Sequence, residues 1–262
     1  MIRQVDSSFL ELKNVTKIFG GLTAVSDFTT SVQKGELVSI IGPNGAGKTT
    51  FLNIITKVLP ITHGEIWFKG QRIDKLEARQ IFGLGISRTF QHLELFNNMS
   101  VVENVMIGCH KWMHSTYPEV MLRLRRVRKE EREVFERAME KLSFLCLVEK
   151  AHDMPSSLAL KERKLLGIAR AIASEPDLLL IDEPVGGLTI KEIDEIGKKI
   201  LAMVEQGITI LFIEHRMELV MGISERVIVM NFGQKIAEGS PEEIQRNEQV
   251  ITAYLGKEES RV

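Results

Sequence analysis

The stretch GPNGAGKTT, residues 42–50, constrains this chain more than any other. Gly42, Gly47, Lys48 and Thr49 fall in the spacing G-x-x-x-x-G-K-T, after the apolar run ELVSII and ahead of the helical FLNIITKVL. Glycines let backbone N–H groups converge on phosphate oxygens without Cβ clashes, and the following helix turns its positive end to the same anion. The segment from Gly42 through Pro43, Asn44, Gly45, Ala46, Gly47, Lys48, Thr49 and Thr50 is thus read as a phosphate cradle. Lys48 is expected to bridge the β- and γ-phosphates and Thr49 to ligate Mg²⁺. At average residue frequencies such spacing arises by chance in roughly one chain of this length in a hundred. The strand before it and the helix after it lower that chance further.

A second stretch supplies the other half of a nucleotide-hydrolysing site. LLLIDEP reads as a buried strand ending in Asp182 and Glu183. Asp182 can hold Mg²⁺ directly or through water, and Glu183 can orient and polarise an attacking water. Many strands end in acids, so the pair gains its meaning from the phosphate loop. Guanine readers carry N-K-x-D, which this sequence lacks, so ATP is the expected nucleotide.

Composition narrows the class. Hydrophobic residues make up 44% of 262 and charged residues 26%, as in globular chains able to bury a sizeable core. With 34 basic and 35 acidic residues the net charge is −1, which gives no general attraction to nucleic acid or acidic lipid. Cys109 and Cys146 lack metal-ligand spacing and read as reduced thiols. The N-terminus has no signal-peptide core, and no apolar run approaches the roughly 18 residues of a membrane span. Any membrane role is expected to run through a partner.

Apolar alternation in FLELKNVTKIF, AVSDFTTSVQ and GEIWFKGQRI predicts a small antiparallel sheet. The runs DLLLIDE, ITILFIEH and RVIVMNF predict buried strands, the first two following helical stretches as βαβ units require. From Val101 to about Met154 the pattern is helical and charge-rich. Arg123, Arg125, Arg126, Arg128 and Lys129 are followed by Glu130, Glu131, Glu133 and Glu136, which favours a solvated helix over a nucleic-acid surface. The expected boundaries are a domain over 9–240, an inserted helical subdomain over about 92–157, and a C-terminal tail over 241–262.

With these motifs in order, the chain resembles the ATP-binding subunits of ABC transporters over nearly its whole length. The resemblance implies a P-loop NTPase of α/β class, with a RecA-like core, an antiparallel β region and the inserted helical subdomain. It implies ATP and Mg²⁺ as cofactors. Phe19 in KIFGG matches the family's adenine-stacking aromatic; its place ahead of the phosphate loop outweighs the ordinary reading of a core phenylalanine. Gln91 in RTFQHLELF matches the glutamine that senses Mg²⁺ and the attacking water and whose loop touches the membrane partner. His215 after ITILFIEH matches the histidine that reaches the γ-phosphate. FGGLTAVSDFT, GISRTFQHLELFNNMSVVENV, the IEHRMELVMGISERVIVMNFGQKIAEGSPEEI stretch and the ending ITAYLG are similar to ATPases of bacterial branched-chain amino acid importers. Those of urea and short-chain amide importers are very similar, and the lipopolysaccharide-export ATPase is more distant. The resemblance implies permease subunits, a second ATPase subunit, a solute-binding protein beyond the membrane, and a peripheral location on its cytoplasmic face.

One motif departs from the family. Its signature, L-S-G-G-Q, aligns with Leu158, Ala159, Leu160, Lys161 and Glu162. In the family the serine and glycine amides reach the γ-phosphate held by the opposite subunit. Ala159 lacks the hydroxyl, and Lys161 places a side chain where glycine allows close approach. Glu162 is an acceptable replacement for the glutamine, and Lys161 adds a charge that can offset part of the loss. Leu165, Ile168, Ala169 and Ile172 keep a core face on the helix that follows. Gly187-Leu188-Thr189 stands where relatives commonly carry an aspartate. Weighed against this reading, a soluble ABC ATPase of translation or repair would carry two cassettes or a long coiled-coil insertion. A P-loop kinase leaves Gln91 and His215 unexplained. A regulatory ATPase without turnover fits the altered signature but not Glu183.

Overall fold

The computed structural model describes residues 9–89, 95–113, 115, 117–122 and 124–255. Along the chain, β1 (Leu10–Phe19) and β2 (Leu22–Val32) form a hairpin, and β3 (Leu37–Ile41) runs through the glycine loop into α1 (Lys48–Ile55). β4 (His63–Phe68) and β5 (Gln71–Arg72) follow, then α2 (Ala78–Gly83) and β6 (Ile86–Arg88). The helical middle holds α3 (Val101–Gly108), α4 (Tyr117–Met121) and α5 (Arg125–Phe144). Alternation resumes with α6 (Leu160–Ile172), β7 (Leu178–Asp182), α7 (Ile190–Glu205), β8 (Thr209–Ile213), α8 (Met217–Ile223), β9 (Arg226–Asn231) and β10 (Gln234–Gly239). Two short helices, α9 (Pro241–Gln245) and α10 (Glu248–Leu255), close the described chain.

Two sheets result. The first is antiparallel in the order β2-β1-β4-β5; the second runs β10-β9-β3-β8-β7-β6, parallel except for β10. β3, β7 and β8 are buried at every position, as strands covered by helices on both faces must be. In β1, Leu10, Leu12 and Val15 turn inward. The sheets are stitched at one seam. Ser26 N–H donates to the Gly233 carbonyl at 2.8 Å, and Lys235 Nζ donates to the Thr29 carbonyl at 2.7 Å. Arg226 on β9 donates to the Ser31 carbonyl at 2.6 Å and pairs with Glu36 at 2.7 Å.

The expected strands and the α/β class are present. Periodicity did not foretell β6 or β10. β6 is three residues long with two polar members, and β10 has no buried position. Residues 241–255 form packed helices, with Ile244 and Val250 buried against the core. α5 has one buried stripe, Val127, Val134, Ala138 and Leu142, while Arg126–Glu130 and Lys129–Glu133 pair on its solvated side. Arg123 lies outside the described residues. Among those described, no helix is long and apolar enough to cross a membrane.

Asn104, fully buried on α3, organises the segment entering the helical middle. Its amide donates to the carbonyls of Phe96, Met99 and Ser100, and its oxygen accepts the Phe96 N–H at 2.9 Å. Asn104→Ala strips these buried backbone groups of their partner and is expected to lower stability by about 2–3 kcal/mol. Urea unfolding measures this; a change under about 0.5 kcal/mol would show that the segment is held by something else.

Candidate nucleotide site

The glycine loop closes against backbone on both sides. Gly42 has φ 152° and a Cβ there would run into the Met230 carbonyl; Gly47 has φ 101° and a Cβ would run into that of Ala24. Side chains are therefore excluded where β9 and β2 flank the loop. Gly233 N–H donates to the Ala46 carbonyl at 3.0 Å, fixing the β9–β10 turn on the loop. α1 begins at Lys48, so the loop leads directly into the N-terminal end of a helix, where backbone N–H groups lie outside the helix's own hydrogen-bond ladder. Lys48 is itself buried. Its ammonium donates to the carbonyls of Gly42 at 2.7 Å and Pro43 at 3.2 Å. Thr49, one residue on, is exposed.

A cleft of about 460 Å³ runs along this loop, lined by Lys48, Thr49, Phe19 and Glu183 among others. Phe19 stands at its rim, 41% exposed, with Lys17 Nζ 4.7 Å from the ring centroid. Phe232, 83% exposed, lines the same cleft and escaped the sequence reading because nothing in RVIVMNFGQ distinguishes it from a strand residue.

The acids arrive on β7, beside β8 in the sheet. Asp182 is buried: Oδ2 takes the Arg88 guanidinium at 2.8 Å, and Oδ1 has no hydrogen-bond partner among the described residues. Burial pushes this carboxyl above the usual range, and Arg88 opposes the rise. A bare carboxylate oxygen and a threonine hydroxyl are both hard-cation donors, so Asp182 and Thr49 are of the chemistry that suits Mg²⁺. Glu183 has φ 46°, a left-handed conformation that costs about 1–3 kcal/mol for such a residue. Its N–H donates to the Ile213 carbonyl at 2.9 Å. His215 Nδ1 lies 4.0 Å from Glu183 Oε1 and 3.4 Å from Glu214 Oε2. Glu214, which the sequence reading passed over, is fully buried and accepts the N–H groups of Val185, His215 and Arg216. It holds backbone in both loops, the one after Glu183 and the one at His215. Gln91 lies outside the described residues.

The altered signature sits at the exposed start of α6. Ala159 is the N-cap residue; it has no side-chain acceptor, but Glu162 reaches back to its N–H at 2.8 Å. Lys150 grips Glu162 at 2.9 Å. Leu158 is buried, and a Cβ on Gly187 would lie 3.1 Å from Leu160 Cδ2, so the two loops touch. Lys161 is tied to Glu195 of α7 at 2.7 Å, which raises its pKa. Its charge, expected to stand at the helix start, is thus already matched. Lys164 donates to the Glu183 carbonyl at 3.3 Å, joining α6 to the residue that follows β7. Thr189 caps α7 through a reciprocal pair with Glu192. In α10, Tyr254 is half-buried beside the Gly42 backbone, and burial pushes its phenol up to about 12.

A family model for the ABC transporter matches residues 25–186. The chain belongs to the ABC transporter family. A second model, the branched-chain amino acid ATP-binding cassette transporter, matches residues 234–260. The high-affinity branched-chain amino acid transport ATP-binding protein LivG of Salmonella typhimurium is 40% identical over 240 residues, covering 91% of this chain and 94% of that protein. A nucleotide-free ATP-binding cassette from an ABC transporter superposes with a TM-score of 0.83 at 33% identity, over 95% of this chain and 99% of the other. A dimeric cassette in a post-hydrolysis state with ADP and phosphate gives 0.75 at 27% identity, over 88% and 98%. This chain is accordingly an ABC transporter ATPase subunit that binds ATP.

Two substitutions separate binding from hydrolysis. Lys48→Ala is expected to weaken ATP binding about 10- to 100-fold, the range of a charge-assisted contact. Glu183→Gln is expected to keep binding and slow turnover about 10²-fold or more. Calorimetric titration and phosphate release measure the two; unchanged affinity in the first, or full turnover in the second, would contradict these roles.

Proposed function

We propose that this subunit energises an importer of branched-chain amino acids, docked on permease subunits at the cytoplasmic face of a membrane. A solute-binding protein on the far side would deliver the cargo. The observation that carries the ATPase part is one cleft lined by Lys48, Thr49 and Glu183, with Asp182 ending the strand just before Glu183. Support for the cargo comes from LivG, whose name states that transport, and from the match over residues 234–260.

In this reading Phe19 stacks on adenine, and Lys48 with the N–H groups of α1 holds the phosphates. Glu183 polarises the attacking water while His215 addresses the γ-phosphate. Mg²⁺, held by Thr49 and Asp182, would neutralise phosphate charge when bound. Gln91 would carry the state of the site to the permease. Two cassettes would sandwich two nucleotides, an arrangement supported by the dimeric relative.

The signature makes the sandwich unequal. With Ala159 in place of serine and Lys161 committed to Glu195, this chain offers the opposite nucleotide fewer donors. Losing one preorganised donor to developing phosphate charge costs about 2.7–4 kcal/mol, or 10²–10³ in rate. We infer a heterodimer in which the partner's intact signature completes the site on this chain's loop. Glu183→Gln here should remove most ATPase activity from the assembled transporter, and the equivalent change in the partner should remove little. Equal losses, or brisk hydrolysis by this chain alone, would contradict the asymmetry. Leucine uptake by vesicles holding the assembled complex tests the cargo.

A further inference from the structure

Arg88 is a buried cation directly behind Asp182. It ends β6, three residues before Gln91, and its side chain is only 8% exposed. Its guanidinium reaches two other elements. One Nη donates to Asp182 Oδ2 at 2.8 Å, and the other donates to Asn53 Oδ1 on α1 at 2.5 Å. Its neighbour Thr89 accepts the Asp182 N–H at 3.2 Å and donates its own N–H to the Leu180 carbonyl at 2.9 Å. Asp182 is therefore clamped at side chain and backbone by consecutive residues.

Stability alone does not explain this arrangement. A buried ion pair is weak evidence for stabilisation, because desolvating both charges offsets their attraction. Here the pair is also incomplete: among the described residues, Arg88 Nε and Asp182 Oδ1 are both buried without a hydrogen-bond partner. A cation that occupies one carboxylate oxygen and leaves the other bare fixes the direction in which that bare oxygen points. Groups behind a metal ligand commonly set metal affinity in this way.

We propose that Arg88 is a positioning residue of the nucleotide site, holding Asp182 by Oδ2 so that Oδ1 serves the divalent cation. Through Asn53 it ties this carboxylate to the phosphate-loop helix. Because Arg88 sits on the strand that leads to Gln91, a shift of that strand alters the metal ligand as well. The proposal rests on the ATPase reading and goes one layer behind the residues assigned to it.

The test uses the full chain, Mn²⁺ as the cation and AMP-PNP as the nucleotide. AMP-PNP affinity is measured by calorimetry in EDTA and in Mn²⁺, and the ratio gives the gain due to metal. Electron paramagnetic resonance reports the environment of bound Mn²⁺. Arg88→Met should cut the gain about 10-fold or more, alter the Mn²⁺ spectrum, and leave affinity in EDTA within about twofold. Arg88→Lys keeps charge without the fork, and Asn53→Ala removes the anchor; each should give a smaller loss of the same kind. If Arg88→Met does not fold, by circular dichroism, these two carry the test. Folded variants with an undiminished gain, or an equal loss in EDTA and Mn²⁺, would overturn the proposal. Wild-type protein that binds no AMP-PNP in either condition would overturn the ATPase reading itself.

Discussion

The loop between β3 and α1 is wedged between two carbonyls, those of Met230 on β9 and Ala24 on β2, and the rest of the site depends on that wedge. One carbonyl belongs to each sheet. Where the sheets meet, only backbone without Cβ atoms fits at Gly42 and Gly47, and that same backbone is the proposed phosphate cradle. The seam of Arg226, Glu36, Ser31 and Gly233 holds the sheets at this separation. A nucleotide cleft thus forms at the junction, with one wall from the antiparallel sheet, carrying Phe19, and its floor from the parallel core.

The order of the core sheet does the remaining placement. β8 lies between β3 and β7, so the phosphate loop, the Asp182-Glu183 pair and His215 all leave the same edge of the sheet. Ligands of open parallel sheets bind at the carboxyl ends of the strands, and these groups gather there. Glu183 is held in a left-handed conformation by its bond to Ile213, while Glu214 gathers the amides on either side. Strain at one acid is supported by a second, buried one. Lys164 extends the linkage to α6, two residues beyond the altered signature, through the carbonyl of Glu183.

What the sequence disclosed follows from how far apart the interacting parts lie. The phosphate loop and its helix are contiguous, and the apolar runs of β3, β7, β8 and β9 are dense enough to read as buried strands. β6 was not legible because three residues, two of them polar, carry no period; its existence depends on pairing with β7. Arg88 and Asp182 are 94 positions apart, and nothing local marks either as the other's partner. The same holds for Lys161 and Glu195, where the sequence gives a free charge and the fold gives a pair. Tyr254 beside Gly42 is the extreme case, the last described turn against the first motif. Local rules found the chemistry, and tertiary contacts decided how each group is held.

The central claim is that one cleft joins the phosphate loop to the β7 acids through a single nucleotide–metal complex. Isothermal titration of the wild-type chain with ATP, in Mg²⁺ and then in EDTA, addresses this directly. The account predicts one binding site per chain and an affinity at least about 10-fold higher with Mg²⁺, because Thr49 and Asp182 contribute only through the metal. Binding of equal strength in EDTA, or more than one nucleotide per chain, would contradict it.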